Sequence, residues 1–330
     1  MKVKVFMMTA GHNHEREILR EMHDGIKVKL ENKQENNFIS RINKRNIKNG
    51  VDYSYDEKYT KCNVAVMFGS WKPDRSNIHH IIRTSIVDHS NCFICIETPL
   101  LGRKVFQPNK HQRVGINGFL NCAATFGEDI DYPNDRLADL GINYNGWNKS
   151  NGNKIVIALQ LGGDASLRNN DINQWCKDTV HTLRQYTDRP IEIRTHPGVS
   201  EKGWSNHEEL FRYFLFGNYK NISFVNGREV PWEDQILDAY CIVAYTSGLS
   251  IDAVVRGIPV IACDEGNFAW NIAERKLSNI ENLNLAADNH VQQWLSNLAY
   301  CQWTPEEMES GRCWDHLKYW QSNEKCSVLS

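Results

Sequence analysis

Residues 241–262, CIVAYTSGLSIDAVVRGIPVIA, allow few folds. Residues 241–245 form a short apolar run with β-branched members, the mark of a buried strand. Thr246-Ser247-Gly248 interrupts it with small residues, and a hydroxyl there can cap a helix. Ile251, Val254 and Val255 share one helical face by their spacing. Gly257 ends the helix, Pro259 keeps it ended, and Val260–Ala262 opens the next strand. The pattern is a βαβ unit. Its first turn offers free backbone N–H groups and two hydroxyls, a setting that suits a phosphate. Asp252 lies about one helical turn further in, where a carboxylate can accept hydrogen bonds from a ribose.

Other short apolar runs end in loops with chemistry-bearing residues. Residues 2–9 read as a first strand, with His12 and His14 just past it; HNHE lacks the spacing of a zinc-binding HExxH. Residues 62–68 (CNVAVMF) are a second strand, 77–88 a helix, and 92–97 (CFICIE) a third strand ending in Glu97. A carboxylate at the end of a buried strand suits a general base; the alternative is a surface carboxylate paired with Arg103. Cys92 and Cys95 form a CxxC inside a strand, where they face opposite sides, so metal or redox chemistry is not expected.

Between about 129 and 153 the composition shifts to Asp, Asn, Gly, Pro and Lys, and residues 146–152 read as a linker. A new sheet then starts at 154–161 (KIVIALQL) and runs into Gly162-Gly163-Asp164-Ala165-Ser166-Leu167-Arg168. In this glycine-rich turn the backbone can approach a ligand, with Ser166 and Arg168 as further donors; it is neither a Walker loop nor a GxGxxG. Residues 173–186 are an amphipathic helix, 190–194 a strand leading to Thr195-His196-Pro197-Gly198, 222–225 a strand and 232–239 a helix. Gly162-Gly163, His196, Ser247-Gly248 and Asp264-Glu265-Gly266-Asn267 thus fall at four successive strand ends, which predicts one nucleotide-binding crevice. Residues 290–300 are helical. Thr304, Pro305 and Glu307 form a capping-box start for a last helix whose Trp314, Leu317 and Trp320 need a surface to bury them.

The chain has 330 residues, enough for two domains, and no apolar run long enough to span a membrane. The start shows no signal-peptide pattern, and the ten scattered cysteines suggest a reducing compartment, so a cytoplasmic location is expected. The net charge of −2 hides an asymmetry: residues 1–150 carry 22 Lys+Arg against 17 Asp+Glu, and the rest 16 against 23. Seven of those basic residues, Lys44 and Arg45 among them, fall within 27–48. A basic half favours an anionic partner; a solvated lysine-rich loop is the plainer alternative.

A two-domain α/β chain with a nucleotide crevice in its second half and a terminal helix returning across resembles the GT-B glycosyltransferases. His196-Pro197 resembles the His-Pro motif of bacterial sialyltransferases and Kdo transferases. Thr246-Ser247-Gly248 resembles their Ser-Ser/Thr motif, and Asp252 matches the acidic residue further into that helix. The match covers about residues 154–275; the paired acidic residues of the sialyltransferases' first half are absent. The tail, from Trp294-Leu295 through Trp303-Thr304 and Glu306-Glu307-Met308 to Trp314-Asp315-His316-Leu317, is similar to a pattern in phage proteins that look like glycosyltransferases. Some phages use such enzymes to decorate hydroxymethylated bases in their DNA.

The resemblance implies two Rossmann-like domains facing a cleft, over 1–150 and 151–300, with a helical segment 301–330 crossing back to the first. It implies a glycosyltransferase, cytoplasmic in a bacterial host if phage-encoded, that needs no metal or other cofactor and takes a nucleotide sugar, a UDP-sugar by expectation. Gly162, Gly163, Ser166, Arg168, His196, Ser247 and Gly248 would hold the phosphates and Thr246 would also bind the donor; Asp252 would hold the ribose, and Asp264, Glu265 and Asn267 would lie near the sugar. Glu97, or failing that Asp88 or His12, would be the base. Arg103, Lys44 and Arg45 would contact an acceptor expected to be the hydroxymethyl group of a modified pyrimidine in double-stranded DNA. A glycan transferase with a CMP-Kdo or sialyl-like donor, a sugar-nucleotide epimerase and a non-catalytic nucleotide- or DNA-binding protein are the alternatives.

Overall fold

The computed structural model describes residues 3–7, 13–31, 59–72, 78–102, 111–121, 130–148, 152–198, 205–217 and 219–321. The chain divides into two compact units, Met1–Asp131 with Asn297–Ser330, and Tyr132–Ser296. Each is α/β and built on one five-stranded sheet, the fold class the sequence predicts.

In the first unit β1 (Val3–Val5), β2 (Val64–Phe68) and β3 (Phe93–Glu97) run parallel, with Val3 opposite Val64 and Ala65 opposite Phe93. All five residues of β2 are buried, so the run shows no polar alternation, as in a strand covered on both faces. Helices α1 (Asn13–Glu31) and α2 (Ile78–His89) lie in the crossovers that parallel strands require. The next strand, β4 (Gln112–Ile116), reverses direction and sets Arg113 opposite Glu97.

The second unit begins with α3 (Asp135–Asp139) and β5 (Lys154–Ala158). It continues through α4 (Ile172–Leu183), β6 (Ile191–Arg194), α5 (Ser205–Phe216), β7 (Ile222–Val225), α6 (Trp232–Gln235), β8 (Ala239–Ala244), α7 (Leu249–Val255) and β9 (Val260–Ala262) to α8 (Asp288–Ala299). Its strands are all parallel, in the order β7, β6, β5, β8, β9. From β5 the chain winds outward to β7, returns to the other side of β5 and winds the other way to β9. The β5 and β8 boundary is therefore the topological switch point of this sheet. Ile155, Ile157, Ile193 and Val243 of the strands share one buried cluster with Cys176, Val180 and Leu183 of α4.

The expected linker is not one in its described part. Asn148 N–H donates to the Gly257 carbonyl at 2.7 Å, the Trp147 indole to the Ala286 carbonyl at 2.7 Å, and the Tyr144 hydroxyl to Asp288 at 2.9 Å. These bonds tie the segment to the second unit, and the division between units falls at 131/132, not at 150/151. Polar composition misled here because the segment is held by hydrogen bonds instead of an apolar face.

At Asn297, in the last turn of α8, the chain returns to the first unit. β10 (Gln302–Trp303) pairs antiparallel with β4 as the sheet's outer strand. The Gln302 amide, fully buried, accepts from Leu100 and Leu101 N–H at 3.0 and 2.9 Å and so fixes the chain beyond β3. The expected capping box is present at the start of α9 (Pro305–Glu309). The single last helix predicted from sequence is two: Gly311, at φ +77°, separates α9 from α10 (Arg312–Gln321). Trp314 and Leu317 are buried as predicted, while the Trp320 side chain lies outside the described residues. Gly25 explains how closely α9 approaches α1: a Cβ there would stand 1.8 Å from the Met308 carbonyl oxygen.

Candidate functional site

The β6, β5, β8 and β9 strands are neighbours, so the four loops singled out in sequence leave adjacent strand ends on the carboxyl edge of the second sheet. The residue that joins the two central loops is one the sequence reading passed over, Gln160. Its side chain is 6% exposed. Its amide nitrogen donates to the Ser166 hydroxyl at 2.5 Å and the Thr246 hydroxyl at 2.9 Å, and its amide oxygen accepts from Thr246 N–H at 3.1 Å.

This arrangement corrects two expected roles. The Ser166 hydroxyl donates its one proton to Asp164, at 2.6 Å. The Thr246 hydroxyl has the Ser166 carbonyl at 3.1 Å and the Gln160 amide oxygen at 3.2 Å as acceptors for its own. Both hydroxyl protons are thus engaged inside the protein, and a hydroxyl has only one to give. Thr246 is also buried. Ser247 differs: it is half-buried, accepts from Leu249 N–H at 3.3 Å, and its own proton makes no bond among the described residues.

In the first loop Gly163 adopts φ +70°, which favours glycine, whereas a Cβ on exposed Gly162 would meet nothing within 4 Å. Space beside Gly162 therefore lies open at the switch point. The turn closes on Arg168 in the left-handed region (φ +49°). The Arg168 guanidinium bonds both carboxylate oxygens of Asp264, with Glu265 at 3.8 Å. Burial works to lower the Arg168 pKa, and the Asp264 carboxylate together with Tyr245 more than offsets it, so the guanidinium is held charged. Burial and a hydrogen bond with Asp264 push the Tyr245 phenol above its usual range.

Asp264 also accepts from Gly266 N–H at 2.8 Å and is only 13% exposed. Its carboxylate is the anchor of Arg168, not a group presented to a sugar. Asn267 is corrected more firmly. Fully buried, it donates to the Tyr245 carbonyl and the Ser250 hydroxyl, both at 2.9 Å, and accepts from Ala269 N–H at 3.0 Å. It ties the end of β8, helix α7 and the loop after β9 together, with no exposed surface left for a ligand. Glu265 is exposed.

His196 lies half-buried after β6. Its Nδ1 accepts from Gly198 N–H at 3.0 Å, so the neutral ring carries its proton on Nε2. Asp252 is half-buried on α7, and Gly248 is the residue from which that helix starts. Among the described residues no three His, Cys, Asp or Glu side chains form a group that could hold a metal ion.

In the first unit Glu97 closes β3 with its side chain 17% exposed. Its carboxylate accepts from Ser70 N–H at 2.6 Å and Thr98 N–H at 3.3 Å, and the Arg113 guanidinium stands 3.9 Å away. Among the described residues the cation facing Glu97 is Arg113, from a strand the sequence pattern does not announce; Arg103 lies outside them. Asp88 is exposed near the end of α2, the helix that returns the chain to the start of β3. It therefore sits at the opposite edge of the sheet from Glu97, and its place as a substitute base is withdrawn. His12, Lys44, Arg45 and Arg103 lie outside the described residues. Cys95 is buried, donates weakly to the Gly69 carbonyl at 3.6 Å, and burial raises its pKa, as suits an inert thiol.

No family model matches the chain, and no curated protein does. Among solved structures it is similar to Thermosulfurimonas dismutans KpsC, a beta Kdo 2,7 transferase, at 13% identity over 90% of each chain, with a TM-score of 0.44. It is also similar to the Methanocaldococcus jannaschii UDP-GlcNAc 2-epimerase solved with UDP-GlcNAc and UDP, at 12% identity over 97% of this chain and 100% of that one, with a TM-score of 0.33. A third is S. aureus MnaA solved with UDP, at 10% identity over 97% of each chain and a TM-score of 0.33. None of the three is named as a DNA-modifying enzyme. At these values each likeness is loose, and no residue role is carried over from it.

Proposed function

We propose that the chain is a glycosyltransferase that takes its sugar from a nucleotide sugar held at the carboxyl edge of the second sheet. The observation that carries this reading is the switch point itself. There an open glycine turn, the Ser247 hydroxyl and His196 come from three adjacent strand ends. Donors fixed in advance by the fold suit a phosphate that gains charge as it leaves. In this reading the backbone at Gly162, Gly163 and Gly248, together with Ser247 and His196, holds the phosphates; Asp252 takes the ribose. Arg168 serves a phosphate only by exchanging Asp264 for it. Glu97 is proposed as the base that takes the proton of the acceptor hydroxyl.

A UDP-sugar is the proposed donor, and the hydroxymethyl group of a modified pyrimidine in duplex DNA the proposed acceptor. The support for DNA is the basic first half and the resemblance of the tail. Lys29, one of the basic residues of 27–48, is paired with Asp315 at 2.5 Å within the protein. A base hydroxyl in a duplex would be reached by flipping the nucleotide out.

The test is a donor screen: UDP-, GDP- and CMP-sugars, each with and without hydroxymethylcytosine-containing duplex DNA, read by mass spectrometry of the digested nucleosides. A sugar-sized mass gain on the modified base supports the full reading. Donor hydrolysis without a DNA adduct keeps the donor site and moves the acceptor to a glycan. Conversion of the donor sugar to its epimer replaces transfer by epimerisation. Absence of binding to every donor removes the nucleotide site.

A further inference from the structure

We infer that Gln160 is a positioning residue for the donor phosphates: it fixes the separation of the 162–168 turn and the 246–248 turn across the switch point. The inference rests on the donor-site reading above. The ladder between β5 and β8 ends with Ala158 opposite Ala244. Past that pair the strands diverge into their loops, and backbone pairing no longer sets the distance between them. The Gln160 amide takes over. Its oxygen accepts the Thr246 N–H as a ladder carbonyl would, and its nitrogen reaches the hydroxyls of Ser166 and Thr246, one on each loop. The bond from the Thr246 hydroxyl to the Ser166 carbonyl, at 3.1 Å, closes the ring between the loops.

The chemistry requires a primary amide of this length. Both amide protons and the amide oxygen are used, so glutamate, which has no N–H, loses two bonds and sets a negative charge near Asp164. Methionine fills the volume and makes none of the bonds. Asparagine is shorter by one methylene. Because the side chain is buried and every polar atom of its amide is engaged, Gln160 acts on a ligand through the two turns and not by contact.

The test compares wild type with Gln160→Met, Thr246→Val and the double variant, all in the full chain. Binding of UDP, GDP and CMP is measured by calorimetry, and binding of the phosphate-free nucleosides by ligand-observed NMR. Each single variant is expected to weaken nucleotide binding by roughly tenfold, the size of one to two lost hydrogen bonds around a charged group. The double variant should bind about as weakly as the singles, since both cut one network. Nucleoside binding should stay unchanged, because the loss is confined to the phosphates. Nucleotide binding at the wild-type level in Gln160→Met overturns the inference, and so does an equal loss for nucleoside and nucleotide, which marks a role in folding alone. If Gln160→Met fails to fold, Thr246→Val decides on the same readouts. Wild-type protein that binds none of the three nucleotides removes the donor site and the inference together, and is told apart by being seen before any substitution.

Discussion

Asn267 donates a hydrogen bond to the Ser250 hydroxyl at 2.9 Å, and both side chains are shut off from solvent. The same amide holds the Tyr245 carbonyl and Ala269 N–H, so it joins the end of β8, the helix α7 and the loop after β9. Asn267→Ala leaves these buried groups without partners. We predict a loss of about 1–3 kcal/mol in stability, seen as a lower midpoint in urea unfolding of the second unit. A midpoint equal to wild type would show that water replaces the amide at no cost.

The C-terminal return depends on a residue inside α1 that has no side chain. A Cβ on Gly25 would stand 1.8 Å from the Met308 carbonyl oxygen and 2.8 Å from the Gly311 nitrogen, both backbone atoms. Gly25→Ala therefore forces α9 away from α1, although alanine alone favours a helix. Overpacking of this kind costs about 1–3 kcal/mol or more. The expected result is earlier unfolding of the first unit and a red-shifted tryptophan emission as Trp314 gains solvent. Unchanged emission together with unchanged stability would mean that the helices separate freely.

Much of this was legible in sequence because parallel strands are buried on both faces. Runs such as CNVAVMF and CIVAY announce themselves, and the small residues after them mark the loops. β4 was not legible: QRVGI places Gln, Arg and Gly in five residues, and its alternation is set by its neighbours β3 and β10. β10 has only two residues. In the proposed site the glycine turn, His196 and Ser247 stand out in sequence by residue type and by their place after apolar runs. Gln160 does not, since a glutamine after an apolar run is most simply a surface residue. Its role appears only when Thr246, 86 positions away in sequence, is brought beside it. For the same reason Asn267 and Ser166 were misread: polar type suggests contact with a ligand, and burial or an engaged proton cannot be seen in one dimension.

Glu274 carries an acid-sensitive part of the second unit's stability. Burial disfavours its charge, yet Arg275, Lys276 and Asn284 N–H and the Asn279 amide all donate to the carboxylate, and the net effect lowers its pKa below the usual glutamate value. A folded pKa below the unfolded one means that the contribution is present above the unfolded value, about 4.3, and is lost as pH falls through the folded value. Glu274→Gln removes one of the two acceptor oxygens. We predict that it flattens the pH dependence of unfolding below about pH 4.5 relative to wild type and lowers stability at pH 7. Parallel pH profiles for the two proteins would assign the acid sensitivity to other carboxylates.

Glu97 offers the sharpest division between a structural and a chemical role. Its carboxylate supports the turn at Ser70 through a 2.6 Å bond from the backbone, and glutamine keeps one oxygen able to accept that bond. What glutamine cannot do is take a proton from an acceptor hydroxyl. If Glu97 is the base, Glu97→Gln should lower kcat by about 10²- to 10⁴-fold while the KM for the donor stays within a few-fold. Far-UV circular dichroism and the unfolding midpoint then separate this from a disturbed turn. Turnover within about threefold of wild type, with the fold intact, would leave Glu97 as a support for the β2 turn and return the search for the base to His12.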